Sequence, residues 1–480
     1  MTLPTFSWSY LGPVLPELLL ACITIVVVFL DLFAPQKREL LPWMTVVGTL
    51  GAMLAVAGQG PATTFGGMYI VDTCSLFFKQ ICLIGLLLTT LMSERYLQAE
   101  NLRHGEYYSL LLFSTMGMMF MASAGDLMVL YLGLELMALS IYCLVGLMKG
   151  DPRSSEASLK YFLMGAFFSA IMLYGMSLLY GMTGTTNLHG IALYAKQAGL
   201  LANPALLSGL GLLLAAICFK TAVAPFHFWT PDVYEGAPTS VTAFMSVGAK
   251  AAGFAVFGRV LMVGFPELQG SWGTMLAVLA LLTMAVGNIT ALSQTSMKRM
   301  LAYSSVAHAG YALIGILAGT PEGISATMNY LLIYGFMNMG AFAVLLLLVK
   351  DGKRRESLEE YRGLAGSNPL LAALMLIFMF SLTGIPPTAG FIGKFYLLRA
   401  GLDAGYTWLV ICAVIFSAVS AFFYLRVVRY MYMEEPAEEI CFKMTPGVSV
   451  AITLALIGVI GLGILPGPVV GLASRAVFAF

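Results

Sequence analysis

Apolar runs of about 20 residues, long enough to cross a bilayer core as helix, recur along the whole chain, separated by short stretches that carry most of the charge. They predict spans at 12–33, 40–58, 70–92, 107–124, 126–148, 158–183, 205–229, 237–265, 272–293, 300–319, 325–349, 368–398, 405–425 and 446–472. The strict alternation of polar and apolar positions that a membrane β-barrel requires is absent. The pattern therefore predicts an all-α polytopic membrane protein with about 14 transmembrane helices. Composition agrees: the chain is 59% hydrophobic and 10% charged, where soluble domains are about 25% charged. Fifty glycines and thirty methionines suit helices packed in lipid.

Cation placement tests the span count. Lys37, Arg38, Arg95, Arg103, Lys149, Arg153, Lys298, Arg299, Lys350, Lys353, Arg354, Arg355, Arg362, Arg426, Arg429 and Lys443 follow odd-numbered spans, and only Lys196, Arg399 and Arg475 follow even ones. By the positive-inside rule the first side is cytoplasmic and both termini are expected outside the cytoplasm. The first apolar run lacks a positive n-region and a small-residue cleavage site, so it reads as a retained span.

Six cations remain inside spans: Lys79, Lys160, Lys220, Lys250, Arg259 and Lys394. Glu135 lies within the fifth span, and Glu17, Asp31, Asp72 and Asp126 sit near span ends. A charge at mid-membrane costs roughly 2.5–3.5 kcal/mol on insertion scales, so each needs a partner, water or a task. Two spans also carry breaks. The seventh runs Lys220-Thr-Ala-Val-Ala-Pro225-Phe-His227, and the twelfth runs Thr383-Gly-Ile-Pro386-Pro387-Thr-Ala-Gly390-Phe-Ile-Gly-Lys394. Proline removes a helical hydrogen bond, and unwound backbone survives in a membrane only where protein or water satisfies it. One broken helix with a lysine in each half is the pattern of an inverted repeat. The expected organisation is a three-helix segment over 1–106, a first five-helix repeat over 107–265, a second, inverted one over 266–432 and a C-terminal helix over 433–480. Sequence similarity between the repeats is limited to scraps such as Lys160-Tyr-Phe-Leu against Asn329-Tyr-Leu-Leu.

Glu135 reads as a counter-ion to a lysine on another helix, Lys220 being the natural candidate, or as a neutral buried carboxyl. Making and breaking an ion pair moves a buried lysine between proton-holding and proton-releasing states, which arginine cannot do. Lys250 lies too far from either end of its span to snorkel, and Lys394 follows the second break. His308 and His227 read as proton relays or as packing histidines, and Lys160 as a functional or a snorkelling cation. Lys79 with Asp72, and Arg259, read as structural or interfacial. A net charge of +1 argues against nucleic acid. Seven scattered cysteines without C-x-x-C and four histidines without helical pairing argue against a metal or redox centre in this chain. No Gly-rich nucleotide motif is present.

Several segments carry a resemblance. They are Pro16-Glu17-Leu-Leu-Leu, Asp126-Leu, Tyr131-Leu-Gly-Leu-Glu135-Leu, Glu156-Ala-Ser-Leu-Lys160-Tyr-Phe-Leu-Met-Gly-Ala-Phe, and Lys220 through Pro225-Phe-His227-Phe-Trp-Thr-Pro231-Asp232-Val-Tyr-Glu-Gly-Ala-Pro238. To these are added Ala302-Tyr-Ser-Ser-Val-Ala-His308-Ala-Gly-Tyr311 and Gly384-Ile-Pro-Pro-Thr-Ala-Gly390-Phe-Ile-Gly-Lys394. In this order, on about 14 spans, the chain resembles the antiporter-like membrane subunits of respiratory complex I, the proton-translocating NADH:quinone oxidoreductase, of the subunit N type. The resemblance implies a proton relay in which Glu135 and Lys220 form the ion pair of the input half, modulated by Lys160. Lys250 would be the central relay, with His308 on the axis and Lys394 in the output half. It implies no cofactor in this chain, with NADH, FMN, iron–sulfur clusters and quinone in partner subunits, and sister antiporter-like subunits as neighbours in a bacterial inner membrane. A subunit of a cation/proton antiporter unconnected to NADH, or a purely structural link in a membrane arm, are the competing expectations.

Overall fold

The computed structural model describes residues 8–100, 105–198, 204–348, 356–435, 444–475 and 478. Arg103, His104, Lys350, Lys353, Arg354, Arg355 and Lys443 lie outside the described residues. The chain begins with α1 (Leu15–Phe33) and α2 (Leu41–Ala57), then a short antiparallel hairpin of β1 (Ala62–Thr64) and β2 (Tyr69–Val71). There follow α3 (Thr73–Ala99), α4 (Glu106–Ala122), α5 (Leu127–Val145), α6 (Pro152–Thr183), α7 (Leu188–Ala198), α8 (Pro204–Thr221) and α9 (Thr230–Gly236). Next come α10 (Thr239–Phe244), α11 (Lys250–Arg259), α12 (Gln269–Leu292), α13 (Met297–Leu317), α14 (Pro321–Leu347) and α15 (Leu364–Ser367). The chain closes with α16 (Pro369–Thr383), α17 (Ala389–Asp403), α18 (Thr407–Met433), α19 (Pro446–Ile464) and α20 (Gly467–Ala473).

Every expected span holds a helix. Among the described residues, twelve helical stretches are long and apolar enough to cross a membrane unaided. The fourth, at 17 residues, falls just short, and the twelfth is divided into α16 and α17. The hairpin and α7, which lies between the sixth and seventh spans, were not expected. Helix starts follow local chemistry: the Asp151 carboxylate accepts from Arg153 N, and Pro152 at the first helical position extends α6 six residues beyond its apolar run.

The interior is protein, not lipid. The rod Thr239–Gly264, built from α10, α11 and two π-helical turns, is buried along its length, and α13 and α14 nearly so. By contrast α1, α18 and α19 leave most of their side chains on the outside. Lys250 and His308 lie on these buried helices, so polar groups are packed where lipid does not reach. A local echo links the halves. The bridge Asp126–Asn187 at the start of α5 recurs 170 residues on as Ser296–Ser357 at the start of α13. The prolines that open α6 and α14, Pro152 and Pro321, are 169 residues apart.

Candidate proton-relay site

Both breaks form, and each leaves carbonyls for polar side chains to satisfy. At the first, α8 ends at Thr221, Ala222 takes a positive φ of 60°, and the Ala224–Pro225 peptide is cis. Trp229 Nε1 donates to Phe219 O at 2.9 Å, and Ala224 N donates to Thr283 Oγ1 at 3.0 Å. At the second, Gly384 takes φ 93°, and Pro386–Pro387 is cis. Here α17 starts so close to the end of α16 that a Cβ at Gly390 would meet Ser381 O at 1.7 Å. The orphan carbonyl of Thr383 is taken by Lys394, whose Nζ donates to it at 2.7 Å and to Ser417 Oγ at 2.9 Å, over the Tyr311 ring at 5.0 Å.

Lys220, the penultimate residue of α8, is buried and donates to the Tyr142 hydroxyl at 3.0 Å. Rings of Tyr142, Phe219 and Tyr161 stand 5.4, 5.7 and 6.0 Å from its ammonium, the range of cation–π attraction. The Tyr142 hydroxyl fits into a notch at Gly165, where a Cβ would lie 1.8 Å from it. The expected direct ion pair with Glu135 is not made. Glu135, half-buried two turns before Tyr142 on α5, accepts instead from the Ser169 hydroxyl.

Lys250 follows a π-helical turn, Met245–Ala249, that re-registers the rod; such turns recur at functional sites. Its Nζ donates to both the carbonyl and the hydroxyl of Ser305 at 2.5 Å, with the Tyr334 ring at 5.8 Å. One turn on, His308 is clamped at both nitrogens, Nδ1 by Tyr330 at 2.5 Å and Nε2 by Tyr424 at 3.1 Å. A neutral imidazole has one donor and one acceptor, so one tyrosine donates to the ring and the other accepts. Exchange of tautomer moves a proton from one side to the other.

His227 sits just past Pro225, half-buried, with Nδ1 unpartnered, and is not joined to this line. Lys160 is 40% exposed and pairs with Glu156 at 2.9 Å and Asp232 at 3.0 Å, and Arg299 joins Asp232 at 3.0 Å and Glu235 at 2.7 Å. Glu156, Lys160, Asp232 and Glu235 line a cleft of about 270 Å³ between α6 and α9. Burial opposes ionisation of Asp232, but hydrogen bonds from Lys160 and Arg299 outweigh it and hold the carboxyl below its usual range.

Of the other buried cations, Lys79 has a different partner from the expectation. Lys79 meets Glu17, not Asp72, at 2.9 Å, with the Tyr69 hydroxyl bonded to both. Arg259 grips Asp72 with two nitrogens at 2.9 and 3.0 Å and also donates to Ala122 O. Lys298, counted among loop cations, is buried and donates to Glu235 O and Ala237 O at 2.8 Å each. The hydroxyl partners Tyr142, Ser305, Tyr330, Tyr424 and Ser417 were not expected. Their one signal is a polar hydroxyl inside an apolar run.

Comparison with known proteins places the architecture. The family described as NADH:quinone oxidoreductase/Mrp antiporter, TM, matches residues 124–420. NADH-quinone oxidoreductase subunit N of Desulfovibrio desulfuricans is 52% identical over 472 residues, with 94% of each chain covered. The subunit N of Trichlorobacter lovleyi is 47% identical over 476 residues, covering 98% of each. Among solved structures, a chain of respiratory complex I from Thermus thermophilus with bound aureothin superposes with a TM-score of 0.82 at 35% identity, covering 96% of this chain and 100% of that one.

Proposed function

From the premise that this chain belongs to the subunit N family of antiporter-like membrane subunits of NADH-quinone oxidoreductase, we propose that it moves protons along Lys220, Lys250, His308 and Lys394. As a subunit of that translocase it is a multi-pass membrane protein of bacterial complex I. NADH oxidation and quinone reduction take place in partner subunits and supply the driving force, and no redox step involves this chain. The sister antiporter-like subunits are its neighbours in the membrane arm. The termini face away from the cytoplasm, a reading supported by the sixteen-to-three division of loop cations. Spans four to eight and nine to thirteen are inverted repeats, a reading supported by the bridges and helix starts repeated 169 or 170 residues on.

One observation carries the mechanism: Lys220, Lys250 and Lys394 are each buried, yet each is held by hydroxyls, carbonyls and rings instead of a carboxylate. Without a fixed counter-ion, the balance between ammonium and amine depends on small electrostatic changes nearby. Glu135, tied to Ser169 and two turns along α5 from Tyr142, the hydroxyl partner of Lys220, is the group whose movement would shift that balance. Moving one charge against 100 mV costs about 2.3 kcal/mol. A 100-fold change in a lysine's proton affinity is worth about 2.7 kcal/mol, so switching one lysine matches the demand. Proton acceptance at Lys220 drives release from Lys250, and the Tyr330–His308–Tyr424 clamp carries the charge toward Lys394.

The test is NADH-driven acidification of inverted vesicles carrying Lys220→Ala, with NADH:quinone oxidation measured alongside. Both activities are expected to fall at least about fivefold, equivalent to about 1 kcal/mol, while the complex stays assembled. Unchanged pumping would sink the proposal, and sodium-dependent proton exchange would then point to an antiporter.

A further inference from the structure

A second cleft, of about 250 Å³, lies between α14 and α17 beside α20. It opens at the start of α14, a membrane-spanning helix, and at the end of α17, so its mouth lies at the edge of the bilayer core. Glu322, Ser325 and Asn329 line the α14 wall, and Arg399 and Asp403 the α17 wall. Toward the middle of the membrane the two helices close up, since a Cβ at Gly393 would lie 3.0 Å from the Tyr330 ring. The cleft is therefore a notch with a floor. Its volume falls just under the roughly 300 Å³ at which pockets for whole small molecules begin. Such a notch suits one end of a larger ligand whose remainder lies outside.

Floor and walls ask for a ligand of two charges. Asn329 is only 2% exposed, and its Oδ1 accepts no hydrogen bond among the described residues. A buried amide oxygen left unpartnered costs free energy, so the floor calls for an N–H or O–H donor. Two carboxylates, Glu322 and Asp403, stand against the single guanidinium of Arg399. Arg399 meets Asp403 only at 3.7 Å, with side chains 65% and 69% exposed. A pair so long and so wet is weak, which leaves the guanidinium open to an anion such as phosphate. The surroundings are apolar. Phe391, Phe395, Arg399 and Leu402 follow one another at helical spacing on α17, and all four are exposed. The Phe391 and Phe395 rings stack at 6.3 Å. A lone cation thus stands on an apolar stripe at the membrane edge, the level of a phospholipid's phosphate, with apolar surface beneath it for an acyl chain.

We propose that the α14–α17 notch binds the headgroup of an aminophospholipid, phosphoethanolamine in chemistry. Its phosphate accepts from the Arg399 guanidinium. Its primary ammonium turns sideways into the notch, donates to Asn329 Oδ1 and faces the Glu322 carboxylate. One acyl chain lies along Phe395 and Phe391 on the outer side of α17. A phosphocholine lipid has the same net charge but no N–H to give, so it can satisfy Arg399 and still leaves Asn329 unpartnered. The notch therefore selects between two lipids by a hydrogen bond. The bound lipid ties α14 to α17 at the end where they part. None of this depends on the lysine line.

The test uses the assembled complex in vesicles that contain a trace of photoreactive phospholipid, with a diazirine on one acyl chain and either an ethanolamine or a choline headgroup. After illumination, labelled peptides are mapped by mass spectrometry. The ethanolamine probe is expected to label α17 at residues 391–395 at least about fivefold more than the choline probe, a preference of about 1 kcal/mol. Asn329→Leu, which removes the acceptor, is expected to abolish that preference. Arg399→Gln, which removes the cation at the exposed rim, is expected to lower labelling by both probes about fivefold. Equal labelling by the two probes in the native complex, or a preference that survives Asn329→Leu, overturns the proposal. So does the absence of any α17 labelling, which would mean that a neighbouring subunit covers the notch. If Asn329→Leu does not assemble, Arg399→Gln decides, and unchanged labelling in that variant overturns the proposal. Labelling and pumping are separate readouts, so failure of the lysine line leaves this result standing.

Discussion

Two groups of buried cations share this molecule and are held in opposite ways. Lys79 and Arg259 each face a carboxylate at 2.9 Å, Glu17 and Asp72, on the side where the hairpin packs. Lys220, Lys250 and Lys394, equally out of contact with solvent, face only neutral oxygens and aromatic rings. A charge sealed against its counter-ion is fixed, because neither member can change state without stranding the other. A lysine held by hydroxyls and carbonyls can give up its proton and keep its place. The difference teaches that burial alone does not decide whether a cation can change its protonation state, and that a contacting carboxylate, present or lacking, does.

The largest expected effect breaks the fixed group. Glu17→Ala leaves the Lys79 ammonium buried beside Tyr69 alone, which should destabilise the protein by about 3–5 kcal/mol. Replacing all three polar members together, Glu17→Leu with Lys79→Met and Tyr69→Phe, should restore most of that loss, because matched apolar groups leave nothing uncompensated. Denaturant unfolding in detergent measures both. A cost below about 1 kcal/mol for Glu17→Ala would show that the pair is not sealed from water.

The next effect separates the groups by asking the same substitution of each. Arginine keeps its proton under all working conditions. Lys394→Arg should therefore cut pumping per assembled complex about tenfold, equivalent to about 1.4 kcal/mol. Lys79→Arg, which preserves a fixed charge opposite Glu17, should leave pumping per assembled complex within about twofold, under 0.5 kcal/mol. Equal losses at both sites would erase the distinction between fixed and proton-releasing cations.

Some of this was legible beforehand. The energetic cost of charge in lipid singled out Glu135, Lys220, Lys250 and Lys394, and Pro225 and the Pro386–Pro387 pair located the two breaks. Their neighbours were not legible. Nothing local says that Lys79 pairs with Glu17 on another helix instead of Asp72 seven residues away. Tyr142, Tyr330 and Tyr424 look like ordinary aromatic filling in an apolar run, because a tyrosine declares its hydroxyl's role only when its partner is known. The π-helical turn ahead of Lys250 has no sequence signature. The inverted repeat is expected from the two broken helices and not from sequence identity, since positions 169 apart on α6 and α14 carry different residues, such as Lys160 and Asn329.

The smallest expected effect lies at the rim, where ions pair in view of water. Lys160, Arg299 and Asp232 form bonds as short as those of the buried pairs, yet their side chains are 32–40% exposed. Exposed pairs contribute under about 1 kcal/mol and are screened by salt. Because the Asp232 carboxyl is held below its usual range, its contribution is present in full above the unfolded value near pH 3.9. That contribution is lost only as pH falls through the lowered folded value. The gap in thermal midpoint between the native chain and Asp232→Asn should therefore be small, constant between about pH 7 and 5, and narrowed by salt. A gap that closes within that interval would mean that Lys160 and Arg299 do not hold the carboxylate. A gap insensitive to salt would move this cluster into the class of the sealed pairs.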